Sequence, residues 1–369
     1  ITITSFYLYL NWLGQFNMSI VSNFHKCIMF IIFEVAIFLM SCKPKTETNF
    51  NRHSIGSYQM KIGFGSCLKQ NKAMPKFEAI KADSFDVFLM IGDNVYGDSE
   101  SEDLSELRSA YKKQKENLEN MNLNFPFEAI WDDHDYGLND GGKNYPFKEQ
   151  AKELFLDFWD IPLDDGRRLR QGLYYDVLKN IDDIDVHIIF LDTRTFRDEL
   201  MPTDDRGAPG KERYIPNLDR SVTMLGQDQW NWLRRKMSQP SDYKIIVTSI
   251  QFLPVGHGWE SWNNMPYERD RLINMIENSV LDYIVILSGD RHRGGLYQLK
   301  TSTGKIITEI TSSSLNAAFT NAEESGPLRI GGTFVDENYG ALYFHGNENA
   351  LTLAIKNMKG DIVRSLLVE

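Results

Sequence analysis

The stretch Val87-Phe88-Leu89-Met90-Ile91-Gly92-Asp93-Asn94-Val95-Tyr96 decides the reading of this chain. A short apolar run stops abruptly in a Gly-Asp step that carries polar side chains. The same arrangement recurs on either side. Residues 61–65 run into Ser66-Cys67, and residues 125–131 into Asp132-Asp133-His134-Asp135. Residues 188–191 precede Asp192-Thr193-Arg194, residues 245–247 lead to Gln251, and residues 284–287 lead to Ser288-Gly289-Asp290-Arg291-His292. Between these runs lie amphipathic stretches. Phe147, Ala151, Leu154, Phe155 and Phe158 share one helical face, as do Trp230, Leu233 and Met237, and Ile273, Ile276 and Val280. Strand-like runs alternating with helical faces predict an α/β fold. Open α/β sheets bind ligands beyond the carboxyl ends of their strands, so six strands are expected to deliver polar groups to one rim.

After Leu296 the texture changes to short strands punctuated by Gly, Thr and Ser, with candidates at residues 342–345, 351–355 and 362–367. The last third is expected to be mostly sheet. Gly331, Gly332 and residues 338–340 carry no readable motif and are expected to complete a second layer. No repeat or linker interrupts residues 60–369, which predicts one domain there.

The chain has 369 residues, 42% hydrophobic and 25% charged, enough to bury a full core. Its formal charge of −11 excludes a protein that holds nucleic acid by general basicity. Three cysteines, Cys27, Cys42 and Cys67, exclude a disulfide-stapled fold.

The amino-terminal segment reads differently. Residues 27–40 are apolar except for Glu34, too short for a membrane span of about 20 residues. Lys26 before the run and Ser41 after it match a secretory signal with Met18 as its start and residues 1–17 upstream of it. Leu39-Met40-Ser41-Cys42 resembles a bacterial lipobox, the alternative being a plain cleaved signal. The expectation is an exported lipoprotein, anchored through lipid on Cys42 and facing the periplasm or the cell exterior. Residues 1–41 are then leader and residues 42–59 a tether, with His53 inside it.

Carboxylates at Asp93, Asp133 and Asp290, crowded at one edge, would repel one another unless a cation neutralised them. Two-metal sites hold ions about 3.5 to 4 Å apart, a span one carboxylate can bridge, and Asp93 is the candidate bridge. Cys67, Tyr96 and His292 are softer or more covalent donors that suit a ferric-type ion. Each has a plainer reading: an Asp after a strand and a Gly often caps a turn, and a lone Cys is often a small buried hydrophobe. His134 sits among Asp132, Asp133 and Asp135, which would hold it charged or oriented. His187 and His345 fall within strands and are read as packing or surface residues.

Taken together, Gly65-Ser66-Cys67, the stretch from Gly92 to Asp98, Trp131-Asp132-Asp133-His134-Asp135-Tyr136-Gly137, Leu191-Asp192-Thr193-Arg194 and Ser288-Gly289-Asp290-Arg291-His292 resemble the PhoD-like alkaline phosphatases. That family belongs to the metallophosphoesterase class, so the resemblance implies an α/β/β/α sandwich of two mixed sheets flanked by helices. The pattern from Gly92 to Tyr96 is also similar to that of purple acid phosphatases. The resemblance implies ferric iron on Cys67, Asp93, Tyr96 and His292, and calcium or another divalent metal on Asp93, Asp133 and Asp290, with His134 facing the leaving group. Two departures stand out. The interval between Cys42 and Met60 is too short for the separate β-domain of some relatives, and Gln251 stands where many metallophosphoesterases place a metal-binding His.

The expected activity is hydrolysis of a phosphate ester outside the cytoplasm by water whose pKa the cations lower from about 15.7 toward 7. Arg194, Arg291 and Asn139 are candidate phosphate donors. His257 is a candidate wall of the leaving-group pocket, while Trp259 and Trp262 are read as core packing. Cleavage of a phosphodiester or phospholipid, or an inactive surface protein that retains phosphate or a glycan, are the alternatives. A monomer is expected, with no nucleic acid partner.

Overall fold

A computed structural model of the chain describes residues 58–368, apart from residues 76, 124, 182, 282, 321–325 and 346–349. The expected leader and the tether up to residue 57 lie outside the described residues. Tyr58 and Gln59, assigned to the tether above, already belong to the fold. The Gln59 N–H donates to the Phe344 carbonyl at 3.1 Å, and the Tyr58 ring lies 4.7 Å from that of Tyr343.

The strands, in chain order, are β1 (Met60–Gly65), β2 (Val87–Ile91), β3 (Phe127–Ile130), β4 (Tyr175–Ile181), β5 (Ile184–Phe190), β6 (Tyr243–Val247), β7 (Ile284–Ser288), β8 (Gly294–Lys300), β9 (Ile306–Ser312), β10 (Asn338–His345), β11 (Ala350–Asn357) and β12 (Ile362–Val368). They form two six-stranded sheets, ordered β12-β11-β10-β1-β2-β3 and β4-β5-β6-β7-β9-β8. Within the first, β1, β2 and β3 are parallel, and within the second β5, β6 and β7 are parallel. The hairpins β10-β11-β12, β4-β5 and β8-β9 add antiparallel margins.

Side-chain alternation makes the layers. Ile188 and Phe190 of β5, Ile245 and Val247 of β6, and Val285 and Leu287 of β7 pack into one core with Ile62, Phe64, Leu342 and Phe344 of the first sheet. Their neighbours Ile189, Ile246, Ile284 and Ile286 point the other way, into a second core with Trp230, Leu233, Leu272 and Ile276. A strand buried on both faces reads as unbroken hydrophobic sequence, which is why these runs were legible. Helices Gly226–Met237 and Pro266–Glu277 cover the outer face of the second sheet. Helices Ser105–Met121 and Lys148–Phe158 pack into the core of the first through Leu107, Tyr111, Ala151 and Phe155. The architecture is the α/β/β/α sandwich.

One expected helical face ends early. Val280 is fully exposed, because the last helix stops at Glu277 and the Ser279 N–H folds back onto the Ile276 carbonyl in a tight final turn.

Candidate metal centre

The carboxyl ends of β1, β2, β3 and β7 converge, and backbone hydrogen bonds tie them together. Leu68 N–H donates to the Asp93 carbonyl at 2.9 Å, and Gly289 N–H to that of Ser249 at 2.8 Å. Leu315 N–H, from the segment after β9, donates to the Ser66 carbonyl at 3.0 Å and so joins the two sheets at the rim. Both Gly-Asp steps need their glycine. Gly92 has φ 114°, and a Cβ there would stand 2.6 Å from that of Asp132. At Gly289 a Cβ would meet the Ser66 hydroxyl at 2.5 Å.

Cys67, Asp93, Asp290 and His292 all have left-handed backbones, with φ of 59°, 51°, 65° and 53°. Non-glycine residues adopt this region rarely, and strain of this kind gathers where side chains must be aimed. Here it turns four side chains inward on one cavity of about 630 Å³ or onto its floor.

One ligand atom each from Cys67, Asp93 and His292 lies within 4.8 Å of the others, and the same holds for Asp93, Asp133 and His134, and for Asp132, Asp133 and Asp290. Asp93 belongs to two of these groups. Its Oδ2 accepts from the Tyr96 hydroxyl at 3.0 Å and from the Cys67 thiol at 3.4 Å. Its Oδ1 is buried with no hydrogen-bond partner among the described residues, as is Oδ2 of Asp132. Buried carboxylate oxygens left unpaired are costly, and two of them beside one cluster fit the coordination of a cation.

The electrostatics agree. Burial, then the Asp133 carboxylate, push Asp93 well above the ordinary carboxylate range. Burial, then Asp132, raise Asp290 in the same way. Burial, then Asp93, raise both the Cys67 thiol and the Tyr96 phenol. All four side chains therefore resist charging until positive charge is supplied, as ligands of hard or ferric-type ions do.

The histidines are poised oppositely. The His292 Nδ1–H donates to the Ala317 carbonyl, which leaves the Nε2 lone pair as the acceptor. Burial, then Arg291, lower its pKa to about 4. His134 Nδ1 pairs with Asp98 at 2.9 Å. Burial works against its charged form, but Asp133, Asp93 and Asp98 prevail and hold its pKa at about 11.

Asp133 is anchored through both oxygens, one accepting from His134 N–H at 2.9 Å and the other from Asp140 N–H at 2.7 Å. Burial opposes its charge, yet His134 and Arg194 hold its pKa well below the ordinary range. Asn139 is exposed on the cavity wall, and Arg291 lines the same wall from a buried position.

Arg194 corrects an expectation. It does not reach the cavity as a phosphate donor but is fully buried beneath it. Its Nε donates to Asp132 Oδ1 at 2.7 Å, Nη2 to the same oxygen, and Nη1 to Glu260 at 2.9 Å. It acts on the acidic residues rather than on a ligand. Gln251 is likewise withdrawn, its Nε2 donating to Thr311 at 3.1 Å and Tyr297 at 3.2 Å, so it does not stand in for a metal-binding histidine. The two tryptophans part company: Trp262 is fully buried with its N–H on Thr248 at 2.9 Å, whereas Trp259 lines the cavity.

Asp132, Asp140 and Glu260 belong to the cluster but were not singled out from the sequence. Asp132 could have been suspected beside Asp133. Glu260, in Trp259-Glu260-Ser261-Trp262, sits in no spacing that marks a ligand.

Residues 161–361 match the family described as PhoD-like phosphatase. The chain is 24% identical over 316 residues to alkaline phosphatase D of Bacillus subtilis (strain 168), covering 72% of this chain and 52% of that protein. The chain thus spans about half the length of that curated relative. Among solved structures it is similar to PhoD, with a TM-score of 0.64 and 18% identity over 85% of this chain and 69% of that one. It is also similar to a purple acid phosphatase from yellow lupin (Lupinus luteus) seeds, with a TM-score of 0.58 and 11% identity over 84% and 53% of the two chains. At these identities the structural likeness bears on the fold.

Proposed function

Because the chain belongs to the PhoD-like phosphatase family, we propose that it is a metal-dependent phosphatase that hydrolyses phosphoric esters outside the cytoplasm. The observation that carries this reading is the meeting of thiol, phenol, imidazole and carboxylates around Asp93, with two buried carboxylate oxygens unpaired among the described residues.

The donor chemistry supports two unlike positions. Cys67, Tyr96 and His292 with Asp93 suit ferric iron, while Asp93, Asp133 and Asp290 suit calcium or another hard divalent ion. Such ions, when bound, acidify water and neutralise phosphoryl oxygens. The chain supplies the rest. Asp93, which belongs to both ligand groups, would hold both ions, and the bond from His292 to Ala317 keeps its Nε2 free of a proton. His134, whose Nδ1 pairs with Asp98 at 2.9 Å, can deliver a proton from its other ring nitrogen to the departing oxygen. Arg194 takes the role of a positioning residue for Asp132 and Glu260. Asn139, on the wall, is left to meet the substrate. The lipobox-like segment at Cys42 supports export and a lipid anchor.

Replacing Asp93 by Asn tests the reading. In purified protein supplied with iron and calcium, Asp93→Asn should lower turnover of a phosphomonoester at least about 100-fold and reduce bound metal. Full turnover with unchanged metal content would overturn the bridging role. Rates of the wild type on a monoester, a diester and a lysophospholipid decide the ester class, and dominance of the diester would replace the monoester assignment.

A further inference from the structure

We infer that this site favours phosphoric esters whose leaving group itself carries an anionic group, and that Arg213 receives that group; the inference rests on the phosphatase reading above. Five cations, Lys69, Lys72, Arg213, Arg291 and Arg293, line the cavity beside seven carboxylates, of which Asp93, Asp133 and Asp290 form the floor and Asp140 braces Arg213. Ions held by Asp93, Asp133 and Asp290 would neutralise the oxygens of the reacting phosphoryl group. An arginine with open donors beyond them can receive negative charge elsewhere on the ester.

Within the cavity wall Arg213 is braced. Its Nη1 donates to Asp140 Oδ2 at 2.6 Å, and the Tyr214 hydroxyl donates to the same oxygen at 2.8 Å. Its guanidinium lies 5.2 Å from the centroid of the Trp259 ring, as does that of Arg291. The backbone N–H groups of Arg213 and Tyr214 donate to the Gly258 carbonyl at 3.0 and 2.7 Å. So close an approach requires glycine, since a Cβ at 258 would stand 2.5 Å from the Glu212 nitrogen. The loop bearing Arg213 and the loop bearing Trp259 therefore form one rigid wall. An arginine already fixed in this way loses little further freedom when it takes a ligand.

Its position selects the ligand. Asp140, which holds the guanidinium, also donates its N–H to Asp133 Oδ2 at 2.7 Å. Arg213 is thus linked through Asp140 to Asp133, a carboxylate of the candidate ion site, and lines the same cavity. Its side chain is 34% exposed. Asp140 is the one acceptor assigned to its planar fork among the described residues, which leaves donors in the geometry that a carboxylate or phosphate accepts.

The test compares 3-phosphoglycerate with glycerol 3-phosphate, which share a three-carbon skeleton and differ by a carboxylate in place of a hydroxymethyl group. A charge-assisted pair of about 1.5–3 kcal/mol corresponds to a preference of roughly 10- to 150-fold. Metal-loaded wild type should therefore show at least about tenfold higher kcat/KM on 3-phosphoglycerate. Arg213→Gln should bring the ratio of the two kcat/KM values close to one, and Arg213→Lys should keep part of it. Equal kcat/KM on both esters in the wild type, or a ratio that Arg213→Gln leaves unchanged, overturns the inference while the phosphatase reading stands. Failure of the metal-loaded wild type to turn over either ester, or the diester and lysophospholipid named above, overturns both.

Discussion

Arg194 and Arg213 show how much the setting of a single residue decides. Both are arginines near an acidic cluster, yet Arg194 is fully buried with its guanidinium bonded to Asp132 and Glu260, while Arg213 opens onto the cavity. Removing a buried ion's partner leaves an uncompensated charge at a cost of about 3–5 kcal/mol. Arg194→Met should destabilise the fold by about that much in a denaturant titration. A loss below about 1 kcal/mol, the scale of an exposed pair, would contradict the arrangement. His257 gives a pH dependence. It is buried, its Nδ1 accepts from the Trp259 N–H at 3.3 Å, and its Nε2 has no partner among the described residues. Burial, then Arg291 and Arg293, lower its pKa to about 3. Below the ordinary value near 6.5 the unfolded chain takes up a proton that the native ring refuses, so stability falls as pH falls toward 3. The slope is at most about 1.4 kcal/mol per pH unit. His257→Gln, which can still accept from Trp259, should flatten this slope between pH 6 and pH 4 in thermal melts. An identical slope would show that the ring does not titrate in this way. Cys67, Asp93, Tyr96, Asp133, Asp290 and His292 were legible as candidate ligands, because strand ends concentrate polar groups. Whether an arginine or a tryptophan faces the cavity was not: Trp259 and Trp262 are three positions apart and face different surroundings.

At the scale of elements, the central strands were legible and the marginal ones were not. β2 spans the expected residues, and β6 and β7 differ from expectation only at their ends, because strands covered on both faces leave an unbroken apolar run. β4, at the margin of its sheet, reads Tyr175-Asp176-Val177-Leu178-Lys179-Asn180-Ile181 with Leu178 exposed, and it was not anticipated. β8 and β9 were expected only as sheet of unplaced bounds, because their threonines and lysine dilute the signal. The turn between β2 and Asp93 is where an element's geometry meets the chemistry. Gly92→Ala would force a side chain into φ 114° and against Asp132. The left-handed backbone costs about 1–2 kcal/mol and the overpacking about 1–3 more. The variant should melt at lower temperature and bind less metal, and wild-type values for both would show that the turn tolerates a Cβ.

At the scale of the whole molecule, two face-packed sheets bring like charge to a shared rim. Asp93, Asp132, Asp133 and Asp290 crowd where the parallel strands of both sheets end, so the fold carries a concentrated demand for cations. An ion that binds only the native state stabilises it by about 2.7 kcal/mol at a hundredfold excess over Kd. A chelator should therefore lower the melting temperature of the metal-loaded protein, and added iron and calcium should restore it. A melting curve indifferent to both would show that the cluster is satisfied without ions.

The sequence by itself determined the α/β class, the strands at the centre of each sheet and the candidate donors at their ends, because burial on two faces and polar strand termini both leave local patterns. Only the tertiary structure decided that the ends of two different sheets share one floor, that Arg194 and Gln251 are drawn away from it, and that Asp132, Asp140, Glu260, Arg213 and Trp259 join it. Those assignments depend on backbone reversals and close contacts between segments far apart in the chain, and no local periodicity records such contacts.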